Sequence, residues 1–310
     1  MTNGGFLKPT FGSTDFENWF ETVRTDDPAG DYVNLRLRAR DNARWQNLRP
    51  TIVQYLEWAH ADARRIFHDA LGITLDPRGG RAHVEYPGSL PQTTRKGYFG
   101  EVFCGILAEA RQVHAEDEWM VPIFLFRLHT QAEEYLMRLI TGEQAAGTIV
   151  GRTGSDNLAL SLKPDGSVKA ILAGEAKCYE TFNTTKARKA LSDLGAQAAV
   201  PVSLGQLKRL LAELDPELFE STILDLEKII KNARQPTVPR HDLLVLIFED
   251  PAIKDYDAPR ISIAEKTANY AGGRPLQVVE VHLPGAGRLI EELYGGLYAN
   301  IQNVPDAATH

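Results

Sequence analysis

The chain has 310 residues, of which 43% are hydrophobic and 24% are charged, a composition typical of a globular protein with a substantial core. Its net charge of −7 argues against a protein that coats nucleic acid with its whole surface, but it permits a local basic cleft. Two cysteines, Cys104 and Cys178, are too few for a disulfide framework and indicate a reducing compartment. No secretion signal or apolar run approaching the ~20 residues of a membrane span is present, so we expect a cytoplasmic protein with no membrane partner.

The N-terminal third predicts a mainly helical region. Residues 1–30 are expected to be irregular, with Phe16, Trp19 and Phe20 packing onto the body of the protein. Residues 32–38 alternate as a strand, and apolar positions recur at three and four over 50–71, which predicts a helix starting near Pro50. A segment rich in proline and glycine follows, so we divide the chain into an N-terminal region, 1–95, and a second domain, 96–310.

The second domain begins with alternating helices and strands. Residues 97–113 predict an amphipathic helix that carries Glu101 near its first turn. The run 119–128 is continuously apolar and aromatic, and Pro122 with the phenylalanines favours a buried strand over a helix. A helix is predicted over 132–140, before the two strands of residues 151–177.

Residues 151–177 predict two strands joined by a tight turn, with acidic residues at the strand ends. Asp156 precedes an alternating strand, and 164–166 form the turn. The second strand ends in Glu175-Ala176-Lys177, so Glu175 and Lys177 share one face about 6–7 Å apart. Two carboxylates and an ammonium at this place suit the binding of a divalent cation and a water against a phosphodiester.

The remaining elements complete an α/β pattern. Helices are predicted over 186–197, 204–213, 217–233 and 288–301, and buried strands over 242–248 and 276–283. We therefore expect an α/β fold, with a central mixed β-sheet flanked by helices and preceded by the mainly helical N-terminal region.

The order of Asp156 and then Glu175-Ala176-Lys177 at the end of an apolar strand resembles the PD-(D/E)xK nuclease superfamily, with Ser155-Asp156 in place of Pro-Asp. The resemblance implies a restriction-endonuclease-like core and a metal-dependent DNA endonuclease that uses Mg²⁺ or Mn²⁺. Asp156 and Glu175 would be metal ligands, and Lys177 would position or help deprotonate the attacking water. It also offers Glu101 as a catalytic residue and metal ligand, although a first-turn acid is favoured by the helix dipole without any chemistry.

A basic segment begins at the end of the Glu175-Ala176-Lys177 triplet. Lys177, Lys186, Arg188 and Lys189, opposed only by Glu180, give residues 177–189 a local charge of +3. We predict that Lys186, Arg188 and Lys189 contact DNA, with a solvated helix face as the alternative. Arg152, in the turn before the Asp156 strand, is a further candidate phosphate contact.

The arrangement over 97–250 also resembles, loosely, the nuclease subunit of Hachiman-type antiphage defence systems. That resemblance implies a bacterial antiviral effector with a helicase or ATPase partner, since this chain carries no phosphate-binding loop of its own. Two alternatives stay open: a non-catalytic nucleic-acid-binding or assembly subunit that keeps the fold, and an unrelated scaffold carrying the triplet by chance. No histidines occur at ligand spacing, and we expect His114 and His129 to be structural.

Overall fold

The structure is a computed structural model that describes residues 2–3, 6–28, 30–40, 42–71, 84–110, 112–114, 116–142, 149, 155–249 and 258–299. The strands are β1 (Thr2–Asn3), β2 (Phe6–Leu7), β3 (Phe20–Asp26), β4 (Tyr32–Ala39), β5 (Trp119–Met120), β6 (Asn157–Leu162), β7 (Val168–Tyr179), β8 (Arg240–Phe248) and β9 (Leu276–His282). The α-helices are α1 (Ser13–Trp19), α2 (Asn42–Leu71), α3 (Gln92–Glu109), α4 (Thr130–Thr141), α5 (Thr184–Ala196), α6 (Ser203–Leu214), α7 (Glu220–Lys231), α8 (Ile263–Asn269) and α9 (Ala286–Ala299).

A mixed sheet organises the molecule. In the described part of the chain its seven strands run in the order β3-β4-β9-β8-β7-β6-β5. The pairs β4–β9, β9–β8 and β8–β7 are parallel, and the pairs β3–β4, β7–β6 and β6–β5 are antiparallel. The central strands β8 and β9 are buried along their whole length, as expected for strands covered by helices on both faces. The predicted α/β fold with a mixed sheet is confirmed.

Helices cover both faces of the sheet. On one face α3 packs against β7 so closely that a Cβ at Gly100 would lie 2.8 Å from the Cβ of Ala176. The same core includes side chains of α2 and α9. On the other face, α6 and α7 pack over β6 and β7, while α5 packs against β8 and β9. None of the helices in the described residues combines the length and the apolar character needed to cross a lipid bilayer.

The N-terminal region is mainly helical, as predicted, but it also supplies two strands of the sheet. The prediction that residues 1–30 are irregular was wrong, because α1 and β3 form there. Phe16, Trp19 and Phe20 do pack onto the body, where their rings contact Phe103 of α3. Through β4 this region is hydrogen-bonded to β9 of the second predicted domain. The division at residue 95 stays a prediction.

Two predicted element boundaries were wrong. The apolar run 119–128 forms only the two-residue strand β5, and Phe126–Leu128 is a 3₁₀ turn. Proline at position 122 has no N–H for a ladder, and Phe126 stacks on the His60 ring at 4.3 Å, so the run is buried between helices instead. Helix α2 begins at Asn42, not near Pro50, which lies inside it. Arg49 donates to the carbonyl of Glu292 in α9 at 3.2 Å, a tertiary contact that supports this earlier part of the helix.

Candidate functional site

The hairpin of β6 and β7 brings Asp156 beside the Glu175-Ala176-Lys177 triplet. Asp156 directly precedes β6, and its N–H donates to the carbonyl of Gly174 at 3.0 Å. Its Oδ2 accepts the N–H of Ala176 at 2.9 Å. The carboxylate of Asp156 therefore lies at the edge of β7, level with Glu175 and Lys177. The sequence prediction that a paired strand brings Asp156 to the triplet is confirmed.

Lys177 connects the two predicted metal ligands. Its ammonium contacts the carboxylate of Glu175, as expected for side chains two residues apart on one strand face. Its Nζ is also 4.0 Å from Oδ2 of Asp156. The side chains of Glu175, Asp156 and Lys177 are 13%, 20% and 37% exposed, so the group is largely shielded and opens to solvent through Lys177.

Glu101 approaches the same place from α3. The close contact between Gly100 and Ala176 holds this helix against β7, and Glu101, the next residue, is only 7% exposed. Because Ala176 faces α3, alternation places Glu175 on the opposite face of β7. Asp156, at the strand edge, accepts the N–H of Ala176 and lines the same cleft as Glu101.

A cleft of about 310 Å³ opens at this end of the sheet. Glu101, Asp156 and Lys177 line it, and Glu175 adjoins it through its contact with Lys177. The other described residues that line the cleft are Thr93, Thr94, Lys96, Gly97, Tyr98, His129, Ile149, Ala176 and Cys178.

Burial and mutual charge determine the protonation of the triplet. Burial, followed by repulsion from Asp156, raises the pKa of Glu175 to about 7, although Lys177 opposes the shift. For Lys177, burial lowers the pKa, but attraction to Glu175 and Asp156 outweighs it, and the net pKa is raised above its ordinary value. At neutral pH Lys177 is therefore an ammonium, which can donate hydrogen bonds but cannot accept a proton.

The buried thiol of Cys104 interacts electrostatically with all three acids. It is completely buried on α3, and a Cβ at Gly174 would lie 3.5 Å from its sulfur. Burial raises its pKa, and the charges of Asp156, Glu175 and Glu101 raise it further. The charges of all three carboxylates therefore act on the pKa of this one thiol. The thiol itself is inert at neutral pH, because the thiolate is the reactive form.

Sequence reasoning missed two further residues that line the cleft. Tyr98 and His129 are buried, and the tyrosine hydroxyl lies 2.6 Å from Nδ1 of His129. Tyr98 precedes Glu101 by three residues on α3 and so shares its face, a spacing that was available in the sequence. His129 was expected to be structural, and nothing in the linear sequence joins it to Tyr98.

The predicted DNA contacts on α5 differ from one another. Arg188 forms two hydrogen bonds, at 2.8 and 2.7 Å, with Glu265 of α8, and Lys189 pairs with Asp193 at 2.5 Å. Lys186 is exposed, and its ammonium lies 5.8 Å from the centre of the Tyr179 ring, at the end of β7. The fourth candidate, Arg152, lies outside the described residues.

A second cluster of possible ligands lies away from this cleft. His114, Glu116 and His241 offer one ligand atom each, and these atoms lie within 4.8 Å of one another. Burial lowers the pKa of both imidazoles, that of His114 to about 4, so both are neutral at pH 7. The sequence did not predict this cluster, because its histidines come from a loop after α3 and from β8.

Comparison with protein-family models finds no match for this sequence, and comparison with curated proteins finds no significant match.

Proposed function

We propose that this protein is a metal-dependent phosphodiester hydrolase that acts on DNA. One observation carries the proposal: Asp156 and Glu175 lie beside Lys177 at one end of the sheet, and Glu101 of α3 lines the same cleft as Asp156 and Lys177. Burying three acids close together is costly unless a cation offsets their repulsion. Buried acids whose mutual repulsion carries such an energetic cost are typical of functional sites.

The residues present fit a hard divalent cation. Carboxylate oxygens are the ligands that Mg²⁺ prefers, and two carboxylates with remaining water positions are a common set for this ion. Asp156 and Glu175 would hold Mg²⁺ or Mn²⁺. Since Glu101 faces the other side of β7, we assign it to a water in the outer coordination shell or to a second ion. A bound ion would polarise the scissile phosphate and lower the pKa of water.

Lys177 supplies the positive charge on the protein side. Because it remains an ammonium at neutral pH, its role is to position the attacking water and to stabilise the charge that develops on the phosphate. This narrows the role inferred from sequence, which included deprotonation of the water. Glu175, with a pKa near 7, changes protonation in the physiological range, so ion binding there competes with a proton.

The biological setting rests on sequence resemblance alone. We propose that the nuclease is an effector subunit of a bacterial antiphage system and that a helicase or ATPase partner controls it. The alternative is a non-catalytic subunit that binds nucleic acid. The ion pairs of Arg188 and Lys189 reduce the positive charge that α5 offers to nucleic acid in either case, so they do not distinguish the two functions.

The test is cleavage of supercoiled plasmid by purified protein in Mg²⁺, Mn²⁺ or EDTA, with and without the product of the neighbouring gene. The variants are Asp156→Asn, Glu175→Gln and Lys177→Ala, with Glu180→Gln as the matched control. Glu180 is 83% exposed and follows β7 immediately, so it tests removal of a nearby carboxylate outside the cluster. We expect metal-dependent cleavage by the parent and by Glu180→Gln, and background levels in the other three.

Two results would count against the proposal. If the three cluster variants cut DNA as well as the parent, the cluster is not the active site. If the parent binds DNA but does not cut it under any of these conditions, the non-catalytic alternative is correct.

A further inference from the structure

The second cluster lies at the far end of α3 from the acidic cleft. His114 follows the C-terminus of α3, and His241 is the second residue of β8. From Glu101 to the end of α3 the helix rises about 12 Å, so the two sites cannot share one ion. Ligand binding at the second cluster is therefore independent of the proposed nuclease activity.

The hydrogen bonds of His114 leave one ring nitrogen free to bind a ligand. Nε2 lies 3.2 Å from the backbone carbonyl of Asp242, and a carbonyl only accepts, so Nε2 carries the hydrogen. In the neutral ring Nδ1 then bears the lone pair, and it lies 3.9 Å from Oε1 of Glu116. Two acceptors that face each other repel unless a cation lies between them.

His241 lies beside His114. Its side chain is 11% exposed, and Nδ1 is a buried atom with no hydrogen-bond partner among the described residues. Nε2 lies 4.0 Å from Oδ2 of Asp117, and the centres of the His114 and His241 rings are 4.7 Å apart. A buried nitrogen without a partner is costly, and a cation bound to Nδ1 would offset that cost. Metal-binding histidines characteristically direct their second nitrogen to a carbonyl or carboxylate, as His114 does here through its hydrogen bond to Asp242.

We propose that His114, His241 and Glu116 bind a Zn²⁺ ion, with the fourth position open to water. Two imidazoles and one carboxylate favour zinc over Mg²⁺, which prefers oxygen ligands. Ligands around tetrahedral zinc are about 3.3 Å apart, so the cluster must contract. Glu116 can supply that movement because its side chain is 67% exposed. The bound ion would join the segment after α3 to the start of β8.

The test measures zinc binding by the full chain. Protein stripped with chelator is titrated with Zn²⁺ in competition with a chromophoric chelator, and thermal unfolding is followed with Zn²⁺ and, separately, with Mg²⁺. All proteins carry Asp156→Asn and Glu175→Gln, so that neither predicted metal ligand of the acidic cleft contributes. The test variants are Glu116→Gln and His241→Gln. The matched control is Glu118→Gln, an exposed acid of the same segment outside the cluster.

We expect one Zn²⁺ per chain and an unfolding temperature that rises with Zn²⁺ but not with Mg²⁺ at the same concentration. Glu116→Gln and His241→Gln should each weaken zinc binding by at least about tenfold, while Glu118→Gln should not change it. Absence of zinc binding at micromolar concentration, or equal binding by all variants, would overturn the proposal. Glu116→Gln keeps the test valid if His241→Gln does not fold, since Glu116 is a surface residue.

Discussion

In metal-free protein at pH 7 the carboxyl group of Glu175 is close to half protonated, because burial and then Asp156 raise its pKa to about 7. Its ordinary value is 4.5, so between these two values the folded protein holds a proton that the unfolded chain releases. The contribution of Glu175 to the stability of the parent therefore falls as the pH rises from 4.5 to about 7, and this contribution is constant above that range.

Glu175→Gln should remove this pH dependence. In metal-free buffer the variant should gain stability relative to the parent between pH 5 and pH 8, by about 1–3 kcal/mol. The measurement is urea denaturation of both proteins at the two pH values. Glu180→Gln, at an exposed carboxylate, serves as the control. A difference between variant and parent that is the same at both pH values would contradict the assigned role of burial.

Lys177→Ala should lose cleavage but keep metal binding. The substitution leaves Asp156 and Glu175 in place but removes the cation that contacts both, so metal-free protein should become less stable. Calorimetric titration with Mn²⁺ and a plasmid assay measure the two properties separately. Lys163→Ala, at an exposed residue beside the hairpin turn, is the control. If Lys177→Ala binds no Mn²⁺, the lysine organises the ligands instead of acting on the substrate.

Local spacing along the chain explains which residues of the candidate site the sequence could predict. Glu175 and Lys177 share a face because strand residues alternate, and Asp156 lies beside them because a short turn fixes the register of the hairpin. Neither strand alternation nor hairpin register predicts that Tyr98 lies beside His129 or that His114 lies beside His241. Those contacts depend on how distant elements pack, which a linear pattern does not encode.

Among the elements, the contact of α3 with β7 positions Glu101. Gly100→Ala should force α3 away from Ala176, because the new Cβ would lie 2.8 Å from the existing one. We expect a loss of about 1–3 kcal/mol in stability and reduced cleavage, since Glu101 moves with the helix. Unfolding by denaturant and the plasmid assay measure these effects.

Gly97→Ala, on the same helix, is the matched control for the effect of Gly100→Ala on stability; it is not a control for cleavage, because Gly97 lines the cleft. A Cβ at position 97 would meet no atom of the described residues within 4 Å, so the substitution should be neutral or stabilise the protein by up to about 1 kcal/mol. Adding Ala176→Gly to Gly100→Ala should recover part of the loss, which a double-mutant cycle detects. Equal effects of the two glycine substitutions would show that helix propensity, not the contact with β7, decides the outcome.

Helix α5 should bind DNA mainly through Lys186. Arg188 and Lys189 already pair with Glu265 and Asp193, whereas no described carboxylate lies within ion-pair distance of Lys186. Lys186→Ala should therefore reduce the dependence of log affinity on log salt by about 0.9, the value of one phosphate contact. Lys189→Ala should leave it unchanged. Fluorescence anisotropy over a salt series measures both, and equal slopes for the two variants would contradict the distinction.

The element predictions fail where tertiary contacts override local signals. Most helices and strands after residue 150 were predicted to within a few residues, because their apolar periodicity is strong and their ends carry turn residues. The run 119–128 could not be assigned correctly, because a continuous apolar stretch fits a strand as well as a segment buried between helices. Its contacts with α2, such as Phe126 on His60, decide between them.

Across the whole molecule, the N-terminal region is part of the central sheet. Deleting residues 1–95 would expose the edge of β9 and remove the aromatic side chains that cover α3. We expect the fragment 96–310 to be insoluble or to lack cooperative unfolding, measured by circular dichroism on heating. Addition of the 1–95 fragment during refolding should recover soluble protein. A fragment that unfolds cooperatively by itself would support the predicted division at residue 95.

The pairing of β4 with β9 also has a consequence for synthesis on the ribosome. Asn34 of β4 donates to Glu280 of β9 at 2.8 Å, and the two residues are 246 positions apart in the chain. At ~5–20 residues per second, the N-terminal hairpin waits roughly 12–50 s before its partner strand has been made. During that interval β4 is an unpaired edge, which chaperones or neighbouring nascent chains can contact. Overproduction should therefore favour aggregation of incomplete chains, and slower, cooler expression should reduce it.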